Sequence, residues 1–118
     1  MIEIRQAVAS DLLALRGSLP AQSCRAFTAV EEGDPVGIAG VYHEEGYVVA
    51  FSHATERLRR HPKSIVKLAK KMMTIVQRYP QVLAVADPSI ESSERTLLHL
   101  GFQHLNASPN GEVYQWKR

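Results

Sequence analysis

Hydrophobic and polar residues alternate from the first positions of the chain, with Ile2 and Ile4 on one side and Glu3 and Arg5 on the other. That period of two predicts a strand with one covered face. Ser10-Asp11 supplies capping and dipole-matched chemistry for a short helix carrying Leu12, Leu13 and Leu15, ending near Gly17 to Pro20. Arg25 to Glu31 and Val36 to Tyr42 read as strands joined through the tight turn Glu32-Gly33-Asp34. The turn His43-Glu44-Glu45-Gly46 then leads into a third strand, Tyr47 to Phe51. Connections this short predict three consecutive antiparallel strands.

The period changes at Pro62, which suits a first helical position because its missing N–H would have no partner there. Ile65, Leu68, Ala69, Met72, Met73 and Val76 follow the spacing of one buried helix face, with Lys63, Lys67, Lys70, Lys71, Thr74 and Arg78 on the other. Tyr79-Pro80 ends that pattern, and Val82 to Ala86 is a continuous apolar run that predicts a strand covered on both faces. A strand, a helix and a second strand imply a crossover, so residues 47–51 and 82–86 should run parallel. Asp87-Pro88 opens another helix, with Asp87 as its cap. Gly101 at C′ and Phe102 at C″ predict a Schellman stop against Leu97. Residues 103–107 and 112–117 close the chain as a hairpin, with 112–117 as an exposed edge strand in which Tyr114 and Trp116 pack. The sum is a single α+β domain over residues 1–118, with a mixed, mostly antiparallel twisted sheet of about seven strands and about three helices.

Composition adds little until its distribution is considered. The chain has 118 residues and a formal net charge of +2, too small to point to nucleic acid. Yet seven of its fourteen Lys and Arg residues lie between Arg57 and Lys71. A strand feeding a basic turn into a helix N-terminus is a recurrent anion site, because free N–H groups and the helix dipole converge there. A phosphate-bearing ligand is therefore expected at this turn. The lone Cys24 reads as a small buried strand residue, and the histidines have no metal-ligand spacing. No apolar run approaches membrane-spanning length and the N-terminus has no signal layout, so a soluble, cytoplasmic protein is expected.

Ile4-Arg5-Gln6-Ala7 with Asp11, Val30 to Gly37 with its glycine after the turn, and Leu97-Leu98-His99-Leu100-Gly101-Phe102 occur in an order that resembles the acetyl-CoA-dependent N-acetyltransferases of the GNAT superfamily. The resemblance covers nearly the whole chain. It implies acetyl-CoA as co-substrate, an amine acceptor on a small molecule or protein, and pantetheine between strands 47–51 and 82–86. It assigns Arg59, Arg60, His61, Lys63, Ser64 and Ile65 to the coenzyme, with the Ser64 and Ile65 amides among the donors. His53 and Glu56, just beyond the central strand, are the candidate general bases.

The chain also departs from the family. Pro62 and Ser64, or Lys63 and Ile65, replace the glycines of the pyrophosphate signature. Leu97 stands where a proton-donating tyrosine is frequent, and Ile90 where an asparagine is; Ser92, Ser93 and His99 are the polar residues that could stand in. One short helix precedes Arg25 where the family uses two to wall the acceptor site. These departures support an alternative: a catalytically inactive GNAT-fold binding or structural protein, with a homo-oligomer open. The short length, the His-Pro before the central helix and the Leu-Gly-Phe ending resemble phage-encoded members.

Overall fold

The computed structural model describes residues 1–16, 24–86, 93–109 and 111–118. The expected helix end at Gly17 to Pro20, the cap Asp87 and the positions Ile90 and Ser92 lie outside them. In chain order the elements are β1 (Ile2–Gln6), α1 (Ala9–Arg16), β2 (Cys24–Glu31), β3 (Asp34–Glu44), β4 (Tyr47–Ala54), α2 (Glu56–Arg59), α3 (Pro62–Val76), β5 (Gln81–Val85), α4 (Ser93–His99), β6 (Gln103–Ser108) and β7 (Gly111–Lys117). The seven strands form one sheet in the order β1-β2-β3-β4-β5-β7-β6. This is the expected mixed α+β architecture, with α2 as an additional short helix.

The β2–β3 and β3–β4 connections are two-residue turns with both central residues at positive φ, at Glu32-Gly33 and Glu45-Gly46. That geometry matches the twist of a tight hairpin. β4 and β5 pair in parallel through Val49–Leu83 and Ala50–Ala84 alone. The last four residues of β4 run on without a β5 partner, so the two carboxyl ends diverge. At the end of α4, Phe102 N–H donates to Leu97 O at 3.0 Å and Gly101 N–H to Leu98 O at 3.1 Å, with Gly101 at φ 99. This is the expected Schellman stop.

The two faces of the sheet are covered unequally. Ala29, Val36, Val41, Ala50, Val82, Ala84 and Tyr114 join Leu68, Met72, Met73, Ile75 and Val76 of α3 in one buried core, against which Leu97 and Leu100 of α4 pack. The other face carries α1, whose Asp11 is buried beneath it. Asp11 supplies the expected capping and dipole-matched chemistry from inside the first turn of the helix. It stands three residues into α1, where its carboxylate accepts from the Val8 N–H at 2.9 Å, from Arg5 at 2.7 and 3.0 Å, and from the Thr28 hydroxyl at 3.0 Å. The Arg5 hydrogen bonds, more than any other contact, hold this carboxyl below the usual range.

Three expectations are corrected. β5 is covered unequally on its two faces: Val82 and Ala84 are buried, whereas on the other face Leu83 is half-buried and Val85 is 45% exposed, since among the described residues α1 packs mainly over β3. Residues 112–117 are not an edge strand, since β7 lies between β5 and β6, with Tyr114 buried, and β6 takes the edge. Cys24, at the start of β2, is half-buried.

Candidate functional site

Antiparallel neighbours that oppose one another point to the same face. Arg5, Thr28, Ile38 and His53 follow one another in register across β1, β2, β3 and β4. Since Asp11 of α1 bonds both Arg5 and Thr28, His53 lies on the α1 face, in the stretch of β4 that has no β5 partner. Its side chain is exposed. Glu56, two residues past the strand, is the first residue of α2 and is also exposed. Neither side chain makes a hydrogen bond or ion pair among the described residues.

The basic turn is more ordered than its composition suggests. Thr55 caps α2, accepting from Leu58 N–H at 3.4 Å and donating to Val36 O at 2.6 Å. Leu58, with no exposed surface, plugs the turn into the core beside Gly37. Arg57 reaches back to the β2–β3 turn: its Nε donates to Glu31 at 2.6 Å, its Nη1 to Asp34 at 3.1 Å and its Nη2 to the Glu31 carbonyl at 3.1 Å. His61 Nε2 lies 3.2 Å from the other Glu31 oxygen. The hydrogen bond from Arg57 is the main reason the Glu31 carboxyl sits below its ordinary range.

Arg57 and His61 are thus turned toward an acidic hairpin. Arg59, Arg60 and Lys63 are exposed and make no hydrogen bond or ion pair among the described residues. The amide reading of the turn is corrected: Ser64 and Ile65 N–H both donate to the His61 carbonyl, at 3.0 and 3.2 Å. α2 runs almost directly into α3, so the first turn closes on His61 and the Ser64 and Ile65 donors are taken up internally. Pro62 has no N–H to give. What faces solvent is a set of three cationic side chains and the half-buried Ser64, not an open cradle of amides.

The role of Arg57 as a clamp was missed in the sequence. The signal was there as charge complementarity between Glu31, Glu32 and Asp34 and the arginine-rich turn, but that pairing spans 26 residues. Leu97, at the frequent tyrosine position, packs against the core. His99 is exposed in the last turn of α4. No group of three or more His, Cys, Asp or Glu residues could hold a metal ion among the described residues. No helix among them is long and apolar enough to cross a membrane.

No protein-family model matches the chain, and no curated protein matches its sequence. Solved structures do match its fold. An acetyltransferase of the GNAT family from Staphylococcus aureus superposes with a TM-score of 0.74 at 13% identity, over 99% of both chains. A GCN5-related N-acetyltransferase from Kribbella flavida gives 0.73 at 16%, over 99% of this chain and 98% of the other. An IAA acetyltransferase from Bacillus cereus gives 0.66 at 13%, over the full length of both. The fold is therefore that of the GNAT acetyltransferases. These three structures are of bacterial proteins, and they lend no support to a phage origin.

Proposed function

We propose that this protein is an N-acetyltransferase that moves an acetyl group from acetyl-CoA to an amine. One observation carries the reading: β4 and β5 part after two paired positions, and Arg59, Arg60 and Lys63 stand without partners among the described residues on the turn that follows β4. A gap between strands suits an extended pantetheine arm, and free cations at its mouth suit phosphates. Arg59, Arg60 and Lys63 supply charge to the coenzyme. Ser64 and Ile65 have their amides engaged by the His61 carbonyl, and Ser64 faces the β1 side of α3, so neither is assigned a coenzyme contact. His61, turned toward Glu31, positions the turn.

The chemistry asks for few groups. The acceptor must arrive as a neutral amine, so His53 or Glu56 takes a proton from the ammonium, directly or through water. The amine nitrogen then bonds the thioester carbonyl carbon, the carbon–sulfur bond breaks with its electron pair leaving on sulfur, and the second proton of the former amine passes to water or to the departing thiolate, leaving a neutral amide and free coenzyme A. A thiol has a pKa of about 8.5, so the thiolate is a competent leaving group without a proton donor. Leucine at position 97 is compatible with that step. Placement of the two reactants supplies the rest of the rate.

The packing of Leu97 in the core favours a second reading, a GNAT-fold protein that binds a coenzyme A thioester without turning it over. Release of free thiol from acetyl-CoA, followed with a thiol reagent across a panel of small amines and peptide N-termini, separates the two. Acceptor-dependent thiol release supports transfer. Saturable coenzyme binding with no release for any acceptor supports the second reading.

A further inference from the structure

A groove of about 430 Å³ lies on the opposite side of α3 from β5, lined by Ile2 and Ile4 of β1 and by Ser64, Lys67, Lys70, Lys71 and Thr74 of α3. We propose that it is a docking site for an extended acidic segment of a partner protein, which adds to the free edge of β1 and sets carboxylates against Lys67, Lys70 and Lys71.

The edge itself is the first argument. β1 pairs with β2 alone among the described residues. Ala7 N–H donates to Ala26 O at 2.9 Å. An antiparallel ladder bonds through alternate residues, so Glu3 and Arg5 turn their backbone groups toward β2 and Ile2, Ile4 and Gln6 turn theirs outward. The Gln6 carbonyl accepts from Arg5 Nη1 at 3.1 Å, as an outward carbonyl can. Ile2 and Ile4 thus offer backbone donors and acceptors at the rim while their half-buried side chains floor the groove. An added strand would use both.

The second argument is charge. α3 contains four lysines and no acidic residue. Lys67, Lys70 and Lys71 form no ion pair among the described residues, and Lys71 Nζ is held 5.7 Å from the centre of the Phe27 ring. A row of unpaired ammonium groups along a strand edge repels basic or neutral edges and admits acidic ones. A nucleic acid would engage the lysines but would find no aromatic platform in the lining and no use for the apolar floor.

The probe is a fluorescein-labelled peptide, Thr-Glu-Thr-Glu-Thr-Glu-Thr, titrated with the full chain and read by anisotropy. Saturable binding is expected, weakened by about tenfold or more in Lys67→Glu/Lys71→Glu and recovered when the peptide carries Lys in place of Glu. Thermal unfolding of the variant shows that it remains folded. Two further peptides keep the protein unchanged, each N-methylated on one alternate set of amides. Pairing through one edge predicts that one set abolishes binding and the other leaves it intact. Equal binding of the two methylated peptides would overturn strand addition. So would no binding of the parent peptide at millimolar protein, or its displacement by a single-stranded oligonucleotide that binds more tightly.

Discussion

The position of the basic turn depends on one steric fit that can be tested by a double-mutant cycle at Gly37 and Leu58. Leu58 has no exposed surface. Truncating a buried leucine to alanine costs about 3 kcal/mol, the lost transfer energy plus the cavity left behind. For a chain of 118 residues the unfolding entropy is about 0.25 kcal/mol/K, so Leu58→Ala should lower Tm by about 12 °C. A methyl group at Gly37 would collide with Leu58 Cδ2 and come within 3.3 Å of the His53 carbonyl. Because Leu58 is a buried side-chain terminus that can yield a little, Gly37→Ala alone should cost about 1.5 kcal/mol. In the Leu58→Ala background the collision is gone and alanine restricts the unfolded chain more than glycine does. There only the 3.3 Å approach to the His53 carbonyl remains, so Gly37→Ala should be close to neutral, giving a coupling energy of about 1.5 kcal/mol. Equilibrium urea unfolding of the four proteins measures it. If Gly37→Ala costs the same with and without Leu58, the turn is not seated by this contact and the account of its placement fails.

Other perturbations address the site and the second face. Arg57→Ala should free Glu31 and Asp34 and weaken coenzyme binding without Arg57 touching the ligand, whereas Arg60→Ala should weaken binding by about tenfold while leaving Tm within about 2 °C; calorimetric titration with unfolding scans separates them. His53→Ala or Glu56→Gln should lower kcat by about a hundredfold if that residue is the base. Retention of full turnover by both would remove the assignment. Asp11→Ala should cost about 3 kcal/mol, because it strands the buried Thr28 hydroxyl and the Val8 N–H and unpairs Arg5. Asp11 and Glu31 both have folded pKa values below their unfolded ones. Their stabilisation is therefore present above the unfolded values of about 4 and is lost as pH falls through the folded ones. Acid unfolding of Asp11→Asn should be less steep than that of the native chain.

What could be read from the sequence was local or periodic. The Schellman stop at Gly101 needs only the residues from Leu97 to Phe102, and α3 declared itself through its apolar spacing and Pro62. The parallel pairing of β4 and β5 followed from the crossover rule. What could not be read depended mainly on distant partners. Asp11 reads as a cap in any local window, yet its position is also set by Arg5 on one side and Thr28 on the other. The basic turn resembles an amide cradle until the Ser64 and Ile65 N–H groups are seen to close on the His61 carbonyl. β7 was misplaced at an edge because a strand following a crossover can take either side of its hairpin partner, and the sequence of β6 and β7 does not decide which. His53 and Glu56 are expected just beyond a strand ending at Phe51, but β4 continues to Ala54, so His53 lies within it and Glu56 opens α2; the face that His53 presents came from the register across four strands.

The central claim, that the turn between α2 and α3 takes the phosphates of a coenzyme A thioester, is tested most directly by thermal unfolding with acetyl-CoA. The native chain is compared with Arg59→Ala/Arg60→Ala, and acetyl-CoA with its dephospho analogue. A ligand at about a hundred times its Kd adds about 2.7 kcal/mol, a rise of about 10 °C for a domain of this size. The account predicts that rise for the native chain, a smaller one with the dephospho analogue, and little or none for the double variant. An unchanged Tm at millimolar acetyl-CoA, or an equal rise in the double variant, would contradict it.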